Sequence, residues 1–403
     1  MPRDTRDEIR TTLHALDVHL AWWGLRQFTS DEAYFRWQRE ALSPAELTTL
    51  HQLVEQKRRG ASADEVSFYD TTADTIILPV LYSQQYDYYL AIGPRVADRI
   101  GEGRSLQSIL DVGCGVGILS TFYARLYPDK TFVGVDRSPA SIARAREQAK
   151  ALGLTNVRFE CLDLDHRVPA SSYDLILATH VLVQAEHDPG IPSRSWNTFE
   201  RAGESQRQAD FERRTGIGTK LDRLGTLLSP QGRMIVFEKT RQLARRVPLQ
   251  RALAARDLGL FEQPELIRYR LVEEIADDGP FYVLGRGTSS QLLWNESPEP
   301  DGGRPFDRAT LKPGLTDPDA PLYENHWPSA QRVWEELRNK HLLKETTCQE
   351  ADGRQLHVEL GQAEEWIYLY CANTLDQRQL VLVEPARTVM LESYYREIAG
   401  GAP

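Results

Sequence analysis

The chain has 403 residues, of which 41% are hydrophobic and 26% are charged, values that are ordinary for a globular protein. This length suffices for about two to three domains. The net charge of −10 argues against a nucleic-acid partner, because phosphate binding requires a basic surface. No apolar stretch approaches the roughly 18 residues of a membrane span, and the N-terminus lacks the apolar segment of a signal peptide. We therefore expect a cytoplasmic protein that does not cross a membrane.

Four cysteines are spread along the chain, at positions 114, 161, 348 and 371. They form no C-x-x-C pair, and no Cys/His cluster has the spacing of a zinc site. We therefore predict that the protein binds no metal and that these cysteines are small, buried side chains in a reducing cytosol.

The first 100 residues are predicted to form an N-terminal helical region. Apolar residues recur at helical spacing between positions 9 and 23, and Ser43-Pro44 has the pattern of a helix start. A stretch rich in tyrosine, residues 82–89, follows. It is interpreted either as a lid that offers hydroxyl groups to a site, with Tyr86 as a candidate catalytic residue, or as a packing helix with its hydroxyl groups in water.

Residues 108–117 organise the middle of the chain. A short apolar run ends in glycines at positions 113, 115 and 117, and a segment of helix-forming residues follows. This order predicts a buried parallel strand, a sharp turn that a ligand can approach closely, and a helix. The dinucleotide-binding fingerprint requires glycine at the first, third and sixth positions, but the sixth position here is Ile118. The match to that fingerprint therefore fails.

The turn instead has the pattern D-x-G-x-G-x-G, with Asp111 two residues before the first glycine. This pattern resembles motif I of the class I methyltransferases that use S-adenosylmethionine. In that family the glycine turn packs against the methionine part of the cofactor, and the acidic residue helps to hold its amino group. The resemblance implies that S-adenosylmethionine is bound by Asp111, Gly113, Cys114, Gly115 and Gly117.

A second predicted strand, residues 131–136, ends in an acid. Asp136 lies 19 residues after the last glycine of the turn, where an acid at the end of the neighbouring strand can accept hydrogen bonds from ribose hydroxyl groups. Asp136 could instead cap the following helix. Ser138 suits that role better, because Pro139 would then occupy the first helical position. Asp136 is therefore predicted to bind the cofactor, together with its neighbour Arg137.

The third predicted strand covers residues 157–161 and leads into a loop with two acids. In class I methyltransferases an acid at this point receives the adenine amino group, and an apolar neighbour packs on the ring. Asp163 and Leu164 match these positions, four and five residues after Phe159. Asp165 is a rival for the acidic position, and at least one of the two acids is expected to be a solvated loop residue.

The fourth predicted strand, residues 173–179, resembles the strand of this family whose end faces the methyl group. Ligands gather at the carboxyl ends of parallel strands, so Thr179 is predicted to bind the cofactor and His180 to touch the substrate. A neutral imidazole could take a proton from a nucleophile there, which makes His180 a candidate catalytic base. The alternative is a histidine with a structural role.

The segment of residues 185–215 is interpreted as an insertion near the substrate pocket or as a surface excursion. The arginine-rich run 239–251 suggests a solvated face, with an anionic substrate group as the alternative. Two strands, 266–272 and 280–286, are expected to complete the sheet, the last of them antiparallel as in the family.

The C-terminal part matches no methyltransferase motif. Residues 289–320 are rich in Pro, Gly and Asp and are predicted to be a linker. Residues 321–403 are predicted to form an α+β domain that recognises substrate, makes a dimer or supports the core. Its predicted elements are a helix at 329–343, a hairpin at 346–360 around residues 351–353, strands at 366–370 and 380–383, and a helix at 389–398.

The predicted fold class is α/β: a doubly wound, seven-stranded methyltransferase sheet over residues 101–288, with the N-terminal helical region and the C-terminal domain attached. The predicted function is methyl transfer from S-adenosylmethionine to a small molecule by in-line displacement, without nucleic-acid or membrane partners and with homodimerisation possible. Three alternatives stay open: a peptide or protein acceptor, a non-catalytic scaffold with this fold, and a nicotinamide-dependent oxidoreductase.

Overall fold

The structure is a computed structural model, and the described residues separate into two compact units. The described residues are 5–59, 62–103, 106–169, 171–183, 188–201, 203, 205–272, 276, 278–287, 292–300, 302–311, 320–350 and 354–400. The first unit comprises residues 1–188, 212–241 and 251–294, and the second comprises 189–211, 242–250 and 295–403. Within these described ranges, no helix combines the length and the apolar composition of a membrane span.

The first unit begins with a helical region, as the sequence predicts, and the described residues there form six helices. They are α1 (Thr5–Trp22), α2 (Asp31–Ala41), α3 (Pro44–Arg59), α4 (Ser62–Thr72), α5 (Ile77–Ser83) and α6 (Tyr86–Glu102). The predicted start at Ser43-Pro44 is confirmed: the backbone N–H of Glu46 donates to Ser43 Oγ at 3.3 Å, and the Glu46 carboxylate accepts from the Ser43 N–H at 2.7 Å. This reciprocal pair satisfies two N–H groups that a helix terminus otherwise leaves without partners.

The central sheet follows, with helices between its strands. The elements are β1 (Ser108–Val112), α7 (Ile118–Leu126), β2 (Thr131–Asp136), α8 (Pro139–Ala151), β3 (Val157–Cys161), β4 (Tyr173–Thr179), α9 (Ser205–Thr215), α10 (Ile217–Leu227), β5 (Leu228–Phe237), α11 (Leu243–Ala254), β6 (Leu258–Leu260), β7 (Glu265–Leu266) and β8 (Pro280–Arg286). β1 lies between β2 and β4 and is parallel to both. Its Ile109, Leu110 and Val112 are buried, as a strand covered on both faces requires.

The strand order is β3-β2-β1-β4-β5-β8-β6, with β8 antiparallel to β5 and β6. The doubly wound α/β class and the antiparallel last strand are therefore confirmed. The described sheet has eight strands instead of the predicted seven, because the two-residue β7 also pairs with β8.

The predicted strand 266–272 is wrong, because the chain leaves the sheet after Leu266 and the segment that pairs with β8 in its place is β6. Ile267 is buried in the same hydrophobic core as Phe281, and Arg270 donates to the carbonyl oxygen of Thr29. These side chains are used in packing against other elements, and the backbone does not continue the ladder.

The second unit contains a five-stranded antiparallel sheet with a helix on each face. Its elements are β9 (Tyr323–His326), α12 (Trp327–Glu336), β10 (His341–Gln349), β11 (Gln355–Ala363), β12 (Trp366–Asn373), β13 (Arg378–Val383) and α13 (Thr388–Gly400), in the strand order β10-β11-β12-β13-β9. The predicted hairpin is confirmed as β10 and β11, while its turn at 351–353 lies outside the described residues. The predicted helix 329–343 ends at Glu336, and its last residues belong to β10.

Residues 189–211, which the sequence marks as an insertion, belong to this second unit. The N–H of Ser193 donates to the carbonyl oxygen of Thr374 at 2.8 Å, and the guanidinium of Arg201 pairs with the carboxylate of Asp376. The predicted boundaries at 101, 288 and 320 stay predictions.

The interpretation of run 239–251 as a solvated face is wrong for Arg246. This residue is 1% exposed, and its guanidinium donates to Glu299 at 2.8 Å and to the carbonyl oxygen of Ser297. A charged group can be buried only when such partners compensate its desolvation.

Candidate functional site

The three glycines after β1 hold a turn that other residues adopt only with strain. Gly113, Gly115 and Gly117 have φ angles of +68°, +54° and +84°. These values lie in the left-handed region, where a Cβ atom costs energy. The predicted strand, glycine turn and helix are therefore present, and α7 begins directly after the turn.

The two ends of this turn pack against protein, while its middle faces open space. A Cβ atom at Gly117 would lie 2.9 Å from Phe159, and one at Gly113 would lie 2.8 Å from Val181. A Cβ atom at Gly115 would meet a single heavy atom of the described residues within 4 Å, the hydroxyl oxygen of Tyr82 at 3.9 Å. The middle of the turn is thus a bare stretch of backbone that another molecule can approach.

Asp136, at the end of β2, holds the turn in place. Its carboxylate accepts hydrogen bonds from the N–H of Gly115 and the N–H of Ser138, both at 2.9 Å. Burial raises the pKa of Asp136, and these N–H donors partly offset the shift. Ser138 caps α8 as predicted, since its Oγ accepts from the N–H of Ser141 at 3.0 Å.

Asp111 lies buried under the turn and accepts a hydrogen bond from the hydroxyl of Ser120. Burial raises the pKa of Asp111 to about 6, although the hydrogen bond from Ser120 acts in the opposite direction. Cys114, inside the turn, is half-buried against the cluster that contains Ile142 and Phe159.

The loop after β3 lies beside the end of β2, because the N–H of Leu162 donates to the carbonyl oxygen of Asp136 at 2.8 Å. Within this loop Asp163 is half-buried and Leu164 is buried, whereas Asp165 is exposed. This difference favours Asp163 over its rival as the acid at the site, with Leu164 as the apolar neighbour. Arg137 is half-buried at the start of the segment that leads to α8.

The tyrosine-rich stretch occupies α5 and α6 and reaches the site at two points. The hydroxyl of Tyr82 is near Gly115, and the ring of Tyr88 stacks on His180 with centroids 4.9 Å apart. Tyr86 differs, because its hydroxyl donates to Asp17 of α1. No described contact brings Tyr86 to the glycine turn, so its catalytic role stays a prediction without support from the geometry.

His180 follows Thr179 at the carboxyl end of β4, as the sequence predicts. Its φ of +56° is left-handed, and its N–H donates to the carbonyl oxygen of Phe237 at 2.9 Å. The ring stacks on Tyr88 and on Phe237, with centroid distances of 4.9 Å and 5.7 Å, and these two aromatic rings are 6.4 Å from each other. The imidazole is thus part of one cluster of aromatic rings, whose contacts limit its orientation.

Asp278, just before β8, is the hydrogen-bond partner of this histidine. Its buried carboxylate contacts Nε2 of His180 and also accepts from the hydroxyl of Tyr269. Burial alone would raise the pKa of Asp278, but the hydrogen bonds from His180 and Tyr269 outweigh it and lower that pKa. Sequence reasoning missed both partners, because neither belongs to a motif.

Glu238, directly after β5, holds the segment behind His180. Its buried carboxylate accepts from the N–H groups of Val181, Leu182 and Val183 at 2.9, 2.8 and 3.3 Å. Burial raises the pKa of Glu238, and the interaction with His180 together with these donors offsets part of the effect. An acid at the end of a predicted central strand was the available signal for this residue.

Asp70 of α4 is a further residue that the sequence did not indicate. Its Oδ1 accepts from the hydroxyl of Ser138 at 2.6 Å and from the N–H of Ala140 at 3.2 Å. An N-terminal helix is thereby attached to the first turn of α8, next to Asp136. The N-terminal region therefore contributes directly to the surroundings of the site.

These residues form a site with two parts in the first unit. One part is the bare turn at Gly115 with the carboxylates of Asp136 and Asp111, which suits a ligand with hydroxyl groups and a cationic amino group. The other is the oriented imidazole of His180, which can accept a proton. Among the described residues, no group of three or more His, Cys, Asp or Glu side chains is placed to hold a metal ion.

Comparisons with known proteins agree with this arrangement. Residues 104–252 match a family described as a methyltransferase domain. Malonyl-(acyl-carrier protein) O-methyltransferase of Acetivibrio thermocellus is 31% identical over 101 residues, 24% of this chain and 35% of that protein. tRNA (guanine-N(7)-)-methyltransferase of Rubrobacter xylanophilus is 35% identical over 94 residues, 23% of this chain and 40% of that protein.

The chain thus spans less than half the length of these curated relatives. Among solved structures, the N-methyltransferase NodS of Bradyrhizobium japonicum in complex with S-adenosylhomocysteine has a TM-score of 0.35 and 14% identity, and the match covers 49% of this chain and 86% of NodS.

Proposed function

Since residues 104–252 belong to the class I S-adenosylmethionine-dependent methyltransferases, we propose that this chain transfers a methyl group from S-adenosylmethionine to a small-molecule acceptor by in-line displacement. When bound, the cofactor supplies a methyl group on a positively charged sulfur, which is a good leaving group. The protein then acts mainly by holding the nucleophile and the methyl carbon in line.

The open backbone at Gly115 is the observation that carries this proposal. A left-handed glycine without a protein neighbour closer than 3.9 Å to its Cβ position leaves room for a ligand. Beside it, the carboxylate of Asp136 is held in place by the N–H of Gly115 and can accept further hydrogen bonds. The open space at Gly115 and the hydrogen-bond acceptor at Asp136 together fit an adenosyl group with its ribose hydroxyls.

The assignment of residues to the cofactor follows the same geometry. Asp136 would hold the ribose, with Arg137 beside it, and Asp163 and Leu164 would hold the adenine. Gly113, Cys114, Gly115, Gly117 and Thr179 would border the methionine part, whose amino group would lie toward Asp111.

The acceptor is proposed to be a small molecule because the chain carries a net charge of −10, which disfavours an RNA acceptor such as the tRNA named for one relative. The relative from Acetivibrio thermocellus is named for O-methyl transfer to a malonyl group, a small acceptor carried on a protein. A cytoplasmic location and a homodimer stay predictions.

Calorimetric titration with S-adenosylhomocysteine tests the proposal. The wild-type chain should bind this product in the micromolar range, and Asp136→Ala should weaken binding by roughly tenfold to a hundredfold, because hydrogen bonds to a charged acceptor are lost. Absence of binding to the wild type would favour a scaffold with this fold, and binding of NADH in its place would favour an oxidoreductase.

Two loop acids provide a matched control for this titration. Asp163→Ala should also weaken binding, because Asp163 is half-buried in the loop beside Asp136, whereas exposed Asp165→Ala should leave the Kd within about twofold. If Asp165→Ala weakens binding and Asp163→Ala does not, the adenine is assigned to Asp165.

Binding should also depend on pH through Asp111, whose pKa burial raises to about 6. Its ionised form attracts the cationic amino group, so the Kd for S-adenosylhomocysteine should be about tenfold lower at pH 7 than at pH 5. The stability of the protein without ligand should change with pH in the opposite direction. The raised pKa of Asp111 contributes to the free energy of unfolding below the pKa of an unfolded Asp, about 3.9, and this contribution is lost as the pH rises through about 6.

The variant Asp111→Asn is the control for this pH dependence. Asn still accepts the hydrogen bond from Ser120 but does not titrate, so both the binding constant and the free energy of unfolding should vary less between pH 4 and pH 7. If the Kd of the wild type varies with pH as little as that of the variant, the amino group of the cofactor does not interact with Asp111.

A further inference from the structure

We propose that the methyl acceptor is an acidic hydroxyl group on a flat ring, of the phenol or enol type, that Nδ1 of His180 takes its proton, and that Asp278 is the positioning residue for this base. The inference rests on the proposed function, because it concerns the acceptor side of the same site. It is carried by contacts of His180 that no motif in the sequence indicates.

The first step concerns which nitrogen of His180 can act. Nε2 contacts the carboxylate of Asp278, which is an acceptor, so Nε2 carries the proton and donates. Nδ1 then has a free lone pair, and it makes no hydrogen bond to any residue that the structure describes. A neutral imidazole with one nitrogen bound to a carboxylate and the other open has the arrangement of a general base.

The second step concerns the position of this base relative to the glycine turn. Val181 follows His180 and would lie 2.8 Å from a Cβ atom at Gly113. The strand end that carries His180 therefore borders the turn proposed to hold the methionine part of the cofactor.

The third step concerns the shape of the acceptor. Aromatic rings cluster beside the exposed His180: Tyr88 stacks on the imidazole, and the rings of Phe237 and Tyr269 have centroids 6.4 Å and 5.7 Å from that of Tyr88. An aromatic cluster beside the base favours a flat, largely apolar molecule. An extended polar chain would leave its hydrogen-bonding groups without partners there.

The fourth step concerns charge. Burial raises the pKa of the Tyr88 hydroxyl, and the carboxyl groups of Asp278, Asp111 and Glu238 raise it further. An acceptor that is a carboxylate is already an anion and needs no base. A neutral hydroxyl becomes a strong nucleophile only when it loses its proton, so it is the acceptor for which a base at His180 is useful.

The fifth step concerns acidity. A phenol hydroxyl has a pKa of about 10 and gives up its proton far more readily than an aliphatic hydroxyl, whose acidity resembles that of water. In the reaction, the hydroxyl oxygen forms a bond to the methyl carbon while the carbon–sulfur bond breaks and its electron pair goes to sulfur. The hydroxyl proton goes to Nδ1 of His180, and the resulting imidazolium is stabilised by Asp278.

The test uses the full-length protein, S-adenosylmethionine and five probes: phenol, 4-nitrophenol, cyclohexanol, aniline and benzoate. Formation of S-adenosylhomocysteine and of the methylated probe is measured by mass spectrometry. We expect methylation of the two phenols in preference to the other three probes. Preferred methylation of aniline, benzoate or cyclohexanol overturns the proposed acceptor class, and so does methylation of no probe by protein that binds S-adenosylhomocysteine.

Two variants test the base and its positioning residue. His180→Asn keeps a residue that tolerates the left-handed backbone, and it should lower kcat with phenol by about a hundredfold or more. The loss should be smaller with 4-nitrophenol, which is already ionised at pH 8. Asp278→Asn should lower kcat in the same direction, and both variants should bind S-adenosylhomocysteine within twofold of the wild type. Equal losses with both phenols contradict a role as base.

A readout without activity separates positioning from general structural damage. In protein labelled with ¹⁵N-histidine, the ring shifts of His180 should report the Nε2–H form in the wild type and a mixture of forms in Asp278→Asn. Among the residues that the structure describes, the titratable groups near this ring are Asp278, Glu238, Tyr88 and Tyr269, with Lys239 close to Asp278. An unchanged ring signal in Asp278→Asn overturns the positioning role. If the wild type does not bind S-adenosylhomocysteine, the proposed function itself is refuted, whatever the variants show.

Discussion

Gly115→Ala should weaken the binding of S-adenosylhomocysteine by roughly tenfold to a hundredfold, or about 1–3 kcal/mol, because the added Cβ occupies the space proposed for the ligand. The protein itself offers no clash, since the nearest described atom would lie 3.9 Å away. A loss of affinity beyond the effect of left-handed backbone strain therefore reports on the ligand and not on a clash with the protein. Titration calorimetry at constant pH measures it.

Gly153→Ala is a matched control for that variant. Gly153 has a φ of +68°, close to the +54° of Gly115, and nothing lies within 4 Å of its Cβ position. Both substitutions should lower the free energy of unfolding by a similar amount, about 1–2 kcal/mol, through left-handed strain. If the two variants lose the same affinity for S-adenosylhomocysteine, the turn at Gly115 does not border the cofactor.

Arg201→Met should lower the free energy of unfolding of the second unit by about 3–5 kcal/mol. The side chains of Arg201 and Asp376 are 0% and 4% exposed, and the same carboxylate accepts from the N–H of Ala244 at 3.0 Å. Removal of the guanidinium leaves a buried carboxylate without its countercharge. Urea denaturation, with hydrogen exchange of the amides in residues 189–201, measures the effect.

A second arginine in the same segment provides the comparison. Arg194 pairs with Glu200 at 3.6 Å, and the two side chains are 60% and 74% exposed. Arg194→Met should therefore change the free energy of unfolding by less than about 1 kcal/mol, because water already screens this pair. If both variants are equally stable, the buried pair does not hold residues 189–211 to the strands of the second unit.

The parts of the site that sequence predicts well are governed by local rules. Three glycines at alternate positions require left-handed backbone, and each of them has it. Ser138 followed by Pro139 begins a helix because the cap and the fixed φ act within one turn. The alternation of strands and helices predicts a doubly wound parallel sheet, since parallel neighbours need a crossover between them, and β1 to β5 are parallel.

The predictions that failed concern residues whose environment is set by distant segments. Composition suggests a solvated arginine at 246, but Glu299 lies 53 positions away and removes that side chain from water. The resemblance to the family suggests a strand at 266–272, but Ile267 is buried in the hydrophobic core and Arg270 donates to the carbonyl oxygen of Thr29 in the N-terminal region. Local pattern carries no information about such partners.

By itself, the sequence determined the fold class, the glycine turn and the place of Asp136 and His180 at the carboxyl ends of their strands, because each depends on spacing along a few neighbouring residues. Only the tertiary structure decided that Asp278, 98 positions from His180, would meet its imidazole and that Glu238 would bind the three N–H groups that follow it. Each carboxylate contacts its donor only after distant strands have assembled into one sheet, and the spacing of residues along the chain does not predict such a contact. The chemistry that we propose for the acceptor depends on this second kind of information.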